Sequence, residues 1–232
     1  MLPKNYLRQI ESRGFAICPH AISQNILEEL LAVTDNLAQE ENSCGIRNLF
    51  KKLPRMREIS NSREIRKLVD PVLGSEAFSV RAIFFDKLPE ANWSVAWHQD
   101  MTIAVKERLD VPRFGPWSIK EGIVHVQPPI EILQRMLTLR IHLDCTDKTN
   151  DALVVIPRSH TYGKLSSEQV SKFVKHAAPY VCVVEATDVM AMRPLLLHSS
   201  HRAVQPHHRR VIHLEFACEP LPEPLEWFEE IA

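Results

Sequence analysis

In VAWHQD, residues 95–100, a histidine and a carboxylate stand two positions apart behind a tryptophan. Side chains at i and i+2 leave a strand on the same side, so His98 and Asp100 project into one space and Trp97 and Gln99 into the other. Such a pair is either the polar face of a half-buried strand or two ligands of a metal ion. Iron(II) in an oxygen-activating site takes two histidines and one carboxylate on one face of an octahedron and leaves three positions open. The third ligand then has to come from a distant strand. His198 and His201, in MRPLLLHSSHRAVQPHHRRVIHLEFA, are the candidates. His198 ends an apolar run that buries it, whereas His201 falls among polar, turn-forming residues; this favours His198.

The elements that must position these residues change character along the chain. SQNILEELLAVTDNLAQEE opens with Ser23 as an N-cap and repeats apolar positions at Ile26, Leu27, Leu30, Leu31, Thr34 and Leu37, the stripe of an amphipathic helix. A second helix is expected over Met56 to Val69, halted by Pro71. From Phe78 the period becomes two, and strands are predicted in FSVRAIFFDKL, WSVAWHQD, MLTLRIHLD, ALVVIP, YVCVVEA, VMAM, LLLHSS and RRVIHLEFA. Helices first and short strands afterwards indicate a sheet sandwich with helices on its outside.

Three strands carry chemistry-bearing residues on a single face. Thr138, Arg140, His142 and Asp144 oppose Leu139, Ile141 and Leu143. Ser94, Ala96, His98 and Asp100 oppose Trp93, Val95 and Trp97. Arg209, Val211, His213 and Glu215 oppose Arg210, Ile212, Leu214 and Phe216. Rolled into a barrel, those faces line a polar cavity. Asp144 is expected to cap the turn that follows it. Residues 101–135 fit neither period and read as an irregular excursion, a wall or lid over the pocket mouth.

Composition narrows the partners. The chain has 232 residues, 45% of them hydrophobic, which suits one domain with one sizeable core. Twenty-eight basic and 29 acidic side chains leave a formal charge of −1, so no overall field draws in nucleic acid or an anionic membrane. Small-molecule chemistry is the expectation. The basic run HRAVQPHHRR lacks interleaved aromatics, and His207 and His208 read as solvated turn residues. No stretch approaches the roughly 20 apolar residues of a membrane span, and the charged first segment is unlike a signal peptide. The expected setting is the cytoplasm. Five scattered cysteines without a C-x-x-C pair argue against a disulfide framework or a zinc knuckle.

His98-x-Asp100, the distal LLLHSS and an arginine eleven residues beyond His198 together resemble the phytanoyl-CoA dioxygenase family of iron(II)- and 2-oxoglutarate-dependent oxygenases. ESRGFAICPHAISQNILEEL is similar to that family's N-terminal strand and helix, and LRIHLDCTDKTNDALVVIPRSH to its strand, turn and strand before a GSH element. Asp151 and Arg158 stand where relatives have glycine, and ATDVM lacks the glycine usual in the turn before the distal histidine.

The resemblance implies a mainly β chain: a double-stranded β-helix, jelly-roll and cupin-like, with N-terminal helices on the outer face of its major sheet. On that plan residues 1–232 form one domain, with helical support over 1–77, the β-helix over 78–218 interrupted by the excursion 101–135, and a C-terminal tail over 219–232. It further implies Fe(II) on His98, Asp100 and His198, with 2-oxoglutarate and O2 at the open positions. The remote carboxylate of the cosubstrate calls for an arginine's planar fork. Alternation leaves Arg209 and Arg210 both possible, and family spacing selects Arg209. By the same likeness Ser200 assists at that carboxylate and Trp117 lines the cosubstrate pocket. Arg140 and His142 are candidate contacts for a small organic substrate, which would most simply be hydroxylated. The rival reading is a cupin-like metal-binding module or a zinc hydrolase using the same three side chains; Arg209 separates them, since a hydrolase needs no dicarboxylate anchor.

Overall fold

The computed structural model describes residues 2–41, 45–87 and 92–231, with the backbone alone at 39–41. Cys44, and Leu88 at the end of the predicted strand, lie outside them. A first layer is helical: α1 (Tyr6–Arg13), β1 (Phe15–Cys18), α2 (Gln24–Glu41), β2 (Gly45–Ile46), α3 (Leu49–Lys52), α4 (Arg55–Ser60) and α5 (Arg63–Leu73). The strands follow: β3 (Phe78–Lys87), β4 (Val95–His98), β5 (Ile103–Val105), β6 (Trp117–Lys120) and β7 (Ile123–Val126). After α6 (Ile130–Gln134) come β8 (Leu137–His142), β9 (Val154–Val155), α7 (Ser167–His176), β10 (Tyr180–Val181), β11 (Val189–Met192), β12 (His198–Ser200) and β13 (Arg209–Ala217).

The strands assemble into a six-stranded sheet in the order β1-β11-β8-β13-β3-β2, a four-stranded sheet β10-β9-β12-β4 and a small sheet β5-β7-β6. Every pairing is antiparallel. Alternation gives the six-stranded sheet two unlike faces. Outward, Phe84, Leu139, Ile141, Ile212 and Leu214 pack beneath helix residues such as Ile10, Leu30, Phe50 and Ile65. Toward the smaller sheet, Met190 and Met192 meet Leu153, Val155 and Leu196. The result is the expected double-stranded β-helix with helices on the outer face of the large sheet.

Two local expectations are corrected. The second helix is two helices: the chain breaks at Asn61, and Ser62 restarts it by accepting a hydrogen bond on Oγ from the Ile65 amide. Pro71 does not halt α5 but sits in its last turn, where it gives up one helical bond, to the Lys67 carbonyl, while the helix runs on to Leu73; Gly74 ends it at φ 91°. The excursion is not irregular either. It holds β5, β6 and β7, strands of three or four residues split by prolines and too short to display a period. Ile103, Val105 and Val126 pack on Phe78 and Val80 and on the segment after β13, where Leu221, Leu225 and Trp227 are buried. Helices α1, α3, α6 and α7 lie outside the helices expected from the sequence.

Three turns explain the departures from the family's glycine pattern. Asp151, Arg158 and Thr187, which occupies the turn in ATDVM, have φ of 58°, 71° and 76°. That left-handed region is open to glycine without strain and tolerated by aspartate. At Thr187 the conformation is held by hydrogen bonds, its amide donating to the His142 carbonyl and its carbonyl accepting from Ala21 and Ile22.

Candidate active site

Strands β4 and β12 lie side by side with His98 directly opposite His198. In each histidine Nδ1 lies 2.8 Å from a carbonyl two residues back, that of Ala96 or of Leu196. A carbonyl only accepts, so Nδ1 carries the proton and the lone pair of Nε2 points away from the backbone. Both Nε2 atoms face Asp100. His198 Nε2 lies 3.8 Å from Asp100 Oδ2, and His98 Nε2 lies 4.0 Å from Oδ1. These separations are too long for hydrogen bonds, yet two donors each about 2.1 Å from a common ion stand at most about 4.2 Å apart. Together the three side chains offer one ligand atom each within 4.8 Å of one another.

Asp100 lies just beyond the end of β4. Its amide donates to the Pro194 carbonyl at 2.9 Å. Gln99 clamps the same turn through its side chain, donating to the Gly163 and Leu195 carbonyls and accepting from the Leu165 amide. Burial pushes the Asp100 carboxyl up, but His198, His213, His98 and Arg81 outweigh it and hold it at about 2. Burial pulls His198 down to about 4, against the opposing pull of Asp100. The first is therefore an anion and the second a neutral ligand near pH 7, the states a cation requires.

The three groups open into a cavity. Arg209 faces it. Its Nη1 donates to the Asp151 carbonyl at 3.0 Å, Nη2 lies 3.4 Å from the Asp151 carboxylate, and Nε has no partner although buried. Arg210, one residue on, turns outward, and its guanidinium binds Asp144 through Nε and Nη2 and Asp35 through Nη1. Asp144 thus holds Arg210 instead of capping a turn. Asp147 takes the turn, accepting from the amides of Thr149 and Asn150. Lys87 pairs with Arg209 across β3 and β13. Its buried ammonium binds the Asp151 carboxylate, Ser200 Oγ and the His201 carbonyl. Ser200 is thereby brought to the arginine's end of the cavity, while His201 is exposed and contributes only backbone.

Other expected residues divide. Arg140 lines the cavity, buried. His142 is also buried on β8 but does not line the cavity, and neither of its ring nitrogens has a partner. Trp117 is not at the cavity: it packs on the apolar cluster around Ile103 and Trp227, with the Arg108 guanidinium over its ring. The tryptophan at the cavity is Trp93, whose ring carries the Lys87 ammonium 5.3 Å from its centroid. Strict alternation places Trp93 and Val95 opposite His98. A β-bulge reverses this: Val95 faces Ser200 and His98 faces His198, so β4 has one residue more than its partner over that span, and Trp93, Val95 and His98 all line the cavity. Beneath the triad runs a buried polar chain from Arg140 to His213 to Glu215 to Arg81.

A jelly-roll barrel presenting two imidazoles and one carboxylate to a cavity defines a metalloenzyme of the cupin-like oxygenase type. Residues 10–211 match the family model for phytanoyl-CoA dioxygenase (PhyH). The chain belongs to that family of non-haem iron- and 2-oxoglutarate-dependent oxygenases. Solved structures share the fold at low identity. AviO1 from Streptomyces viridochromogenes Tue57 is 20% identical over 97% of this chain and 98% of its own, with a TM-score of 0.71. The alpha-ketoglutarate-dependent carbocyclase SnoK from nogalamycin biosynthesis is 14% identical over 93% of this chain and 84% of its own, TM-score 0.71. HygX from Streptomyces hygroscopicus, with nickel and 2-oxoglutarate bound, is 11% identical over 93% and 87%, TM-score 0.69. No curated protein matches the chain by sequence. Among the described residues no helix is long and apolar enough to cross a membrane.

Proposed function

We propose that His98, Asp100 and His198 hold Fe(II), that Arg209 with Ser200 anchors the remote carboxylate of 2-oxoglutarate, and that the enzyme hydroxylates a C–H bond of a small organic molecule. The observation that carries this reading is the unpartnered Arg209 Nε buried in the same cavity onto which both imidazole Nε2 atoms and Asp100 Oδ2, itself without a hydrogen bond, converge. A buried guanidinium with an open donor calls for an anion. A hydrolase has no use for a dicarboxylate anchor. The donor set fits iron: one carboxylate and two neutral imidazoles with their Nε2 lone pairs free, and a cavity beside them. When bound, the ferrous ion supplies the site where O2 and the keto acid meet.

The chain's own contribution is orientation. The Ala96 and Leu196 carbonyls fix the two imidazoles, as outer partners of metal-bound histidines do. Asp151 neutralises part of the charge of Lys87 and Arg209 and holds both side chains in place. Lys87, with three acceptors already on its ammonium, positions Ser200 and leaves the cosubstrate to Arg209. Phe85, Trp93, Val95 and Leu153 supply apolar wall that keeps water from the reacting centre. The overall change balances as 2-oxoglutarate, O2 and R–H giving succinate, CO2 and R–OH, one oxygen atom entering succinate and the other the product. Incubation with labelled O2 tests it: succinate formed only with Fe(II) and carrying one labelled oxygen supports the assignment. Absence of succinate, or Zn(II)-supported hydrolysis, contradicts it.

A further inference from the structure

Of the described arginines on the inner face of the large sheet, all but one have carboxylate partners. Arg81 is paired with Glu215, and Arg209 with Asp151. Arg140 is buried and lines the cavity, but among the described residues no carboxylate lies within ion-pair distance of it. Its one hydrogen-bond contact is to His213 Nδ1 at 3.4 Å, and its Nε has no partner. An uncompensated guanidinium inside a protein is costly unless something fills the place opposite it.

The register says where that place is. On the inner face of the large sheet β13 presents Arg209, then Val211, then His213, while β8 sets His142 against Val211 and Arg140 against His213. Arg140 therefore stands two inward positions nearer the metal than Arg209. Its charged neighbours fit an intermediate place: Arg209 and Asp151 on one side and Asp100 on the other. Burial, and after it the field of Arg209, draws the Arg140 guanidinium down to about 10, the direction expected of a cation that lacks its anion. A molecule lying between the metal carboxylate and Arg209 passes Arg140. By the reading proposed above, on which this inference rests, that molecule is 2-oxoglutarate, an anion at both ends.

We infer that Arg140 binds the carboxylate of 2-oxoglutarate next to the metal, so that the cosubstrate is read by two guanidiniums, Arg140 at its near end and Arg209 at its far end. Arg140 is thus a cosubstrate residue, in place of the substrate contact expected from sequence. It takes no part in proton transfer; its role is to fix the orientation of the keto acid.

The two ends are separated by titrating two keto acids anaerobically into the Fe(II) protein and following the visible charge-transfer band. One is 2-oxoglutarate; the other is 2-oxopentanoate, which keeps the near carboxylate and the keto group but lacks the far carboxylate. Wild type prefers 2-oxoglutarate, and Arg209→Met erases the preference. Arg140→Met weakens both keto acids by the same factor, about 10-fold or more for a charge-assisted contact, and keeps the preference. Arg140→Lys recovers part of the loss for both, and carries the test should the methionine variant fail to fold. Affinities within about two-fold of wild type for both acids overturn the inference, because a charge-assisted contact removes more than that. Loss of the preference in an Arg140 variant also overturns it, since Arg140 then reads the far end. Absence of a band with wild type defeats the oxygenase reading itself, and this inference with it.

Discussion

The two faces of the sheet formed by β8, β13 and β3 are built from neighbouring residues and meet opposite demands. On the outer face, Arg210 places Nε and both terminal nitrogens on Asp144 and Asp35. On the inner face, Nε of Arg209, Nε of Arg140, Nε of Arg81, Oγ1 of Thr138 and both ring nitrogens of His142 are buried without partners, as are Oδ1 of Asp151 and Oδ2 of Asp100 on other segments. Buried polar groups are ordinarily satisfied, and the outer face obeys that rule. The inner face departs from it repeatedly, and Arg209, Arg140 and Asp100 do so at one cavity. Groups that serve stability finish their hydrogen bonds within the chain; groups that serve a ligand are left open for it.

Substitutions that interchange these roles break or sharpen the contrast. The largest effect belongs to His198→Ala, which removes a ligand that is buried, neutral and oriented by the Leu196 carbonyl. Fe(II) affinity measured by anaerobic calorimetry is expected to fall by more than about 100-fold, beyond the loss usual for an outer partner of a ligand. Next comes Arg209→Met, expected to weaken 2-oxoglutarate by about 100-fold, the scale of a bidentate charged contact. Arg210→Met leaves that affinity within about two-fold but lowers unfolding stability in urea by about 1–3 kcal/mol, the pair being partly exposed. The reverse ranking would show that the inner and outer faces of β13 are exchanged.

The smallest effect is on pH dependence. Burial, and after it Arg140 and Arg209, hold the His142 ring far below its ordinary 6.5. Unfolding releases it, so below about pH 6.5 the unfolded chain binds a proton that the folded one does not, and stability falls as pH falls. His142→Phe removes this contribution. The metal-free variant should lose less stability than wild type on acidification from pH 6.5, by up to about 1.4 kcal/mol per pH unit. Parallel curves would show that His142 is not held neutral.

A strand formed within each segment predicted from Phe78 onward, because apolar residues alternating with polar ones leave a mark on a one-dimensional string, although YVCVVEA keeps only Tyr180–Val181, ALVVIP only Val154–Val155 and LLLHSS only His198–Ser200. So did the likeness of the metal-binding pattern, since His98 and Asp100 are close in sequence. What escaped lives in pairings between strands. Lys87 reaches the arginine's end of the cavity because β3 and β13 set it opposite Arg209. Trp93 enters because a bulge shifts the parity of β4. Trp117, named by approximate spacing, goes instead to an apolar cluster whose strands are too short to read. Pro71 misled because a proline removes one helical hydrogen bond without having to end the helix at that residue. Arg209 and Arg210 could be told apart only by family spacing until Asp144 was seen on the outer face.

The claim on which the rest depends is that His98, Asp100 and His198 meet on one ferrous ion beside a chelating keto acid. Anaerobic addition of Fe(II) and 2-oxoglutarate tests it most directly. The account predicts a weak visible charge-transfer band with the wild-type protein that disappears in His98→Ala. A wild-type protein that gives no band, or a His98→Ala variant that keeps it unchanged, would contradict it.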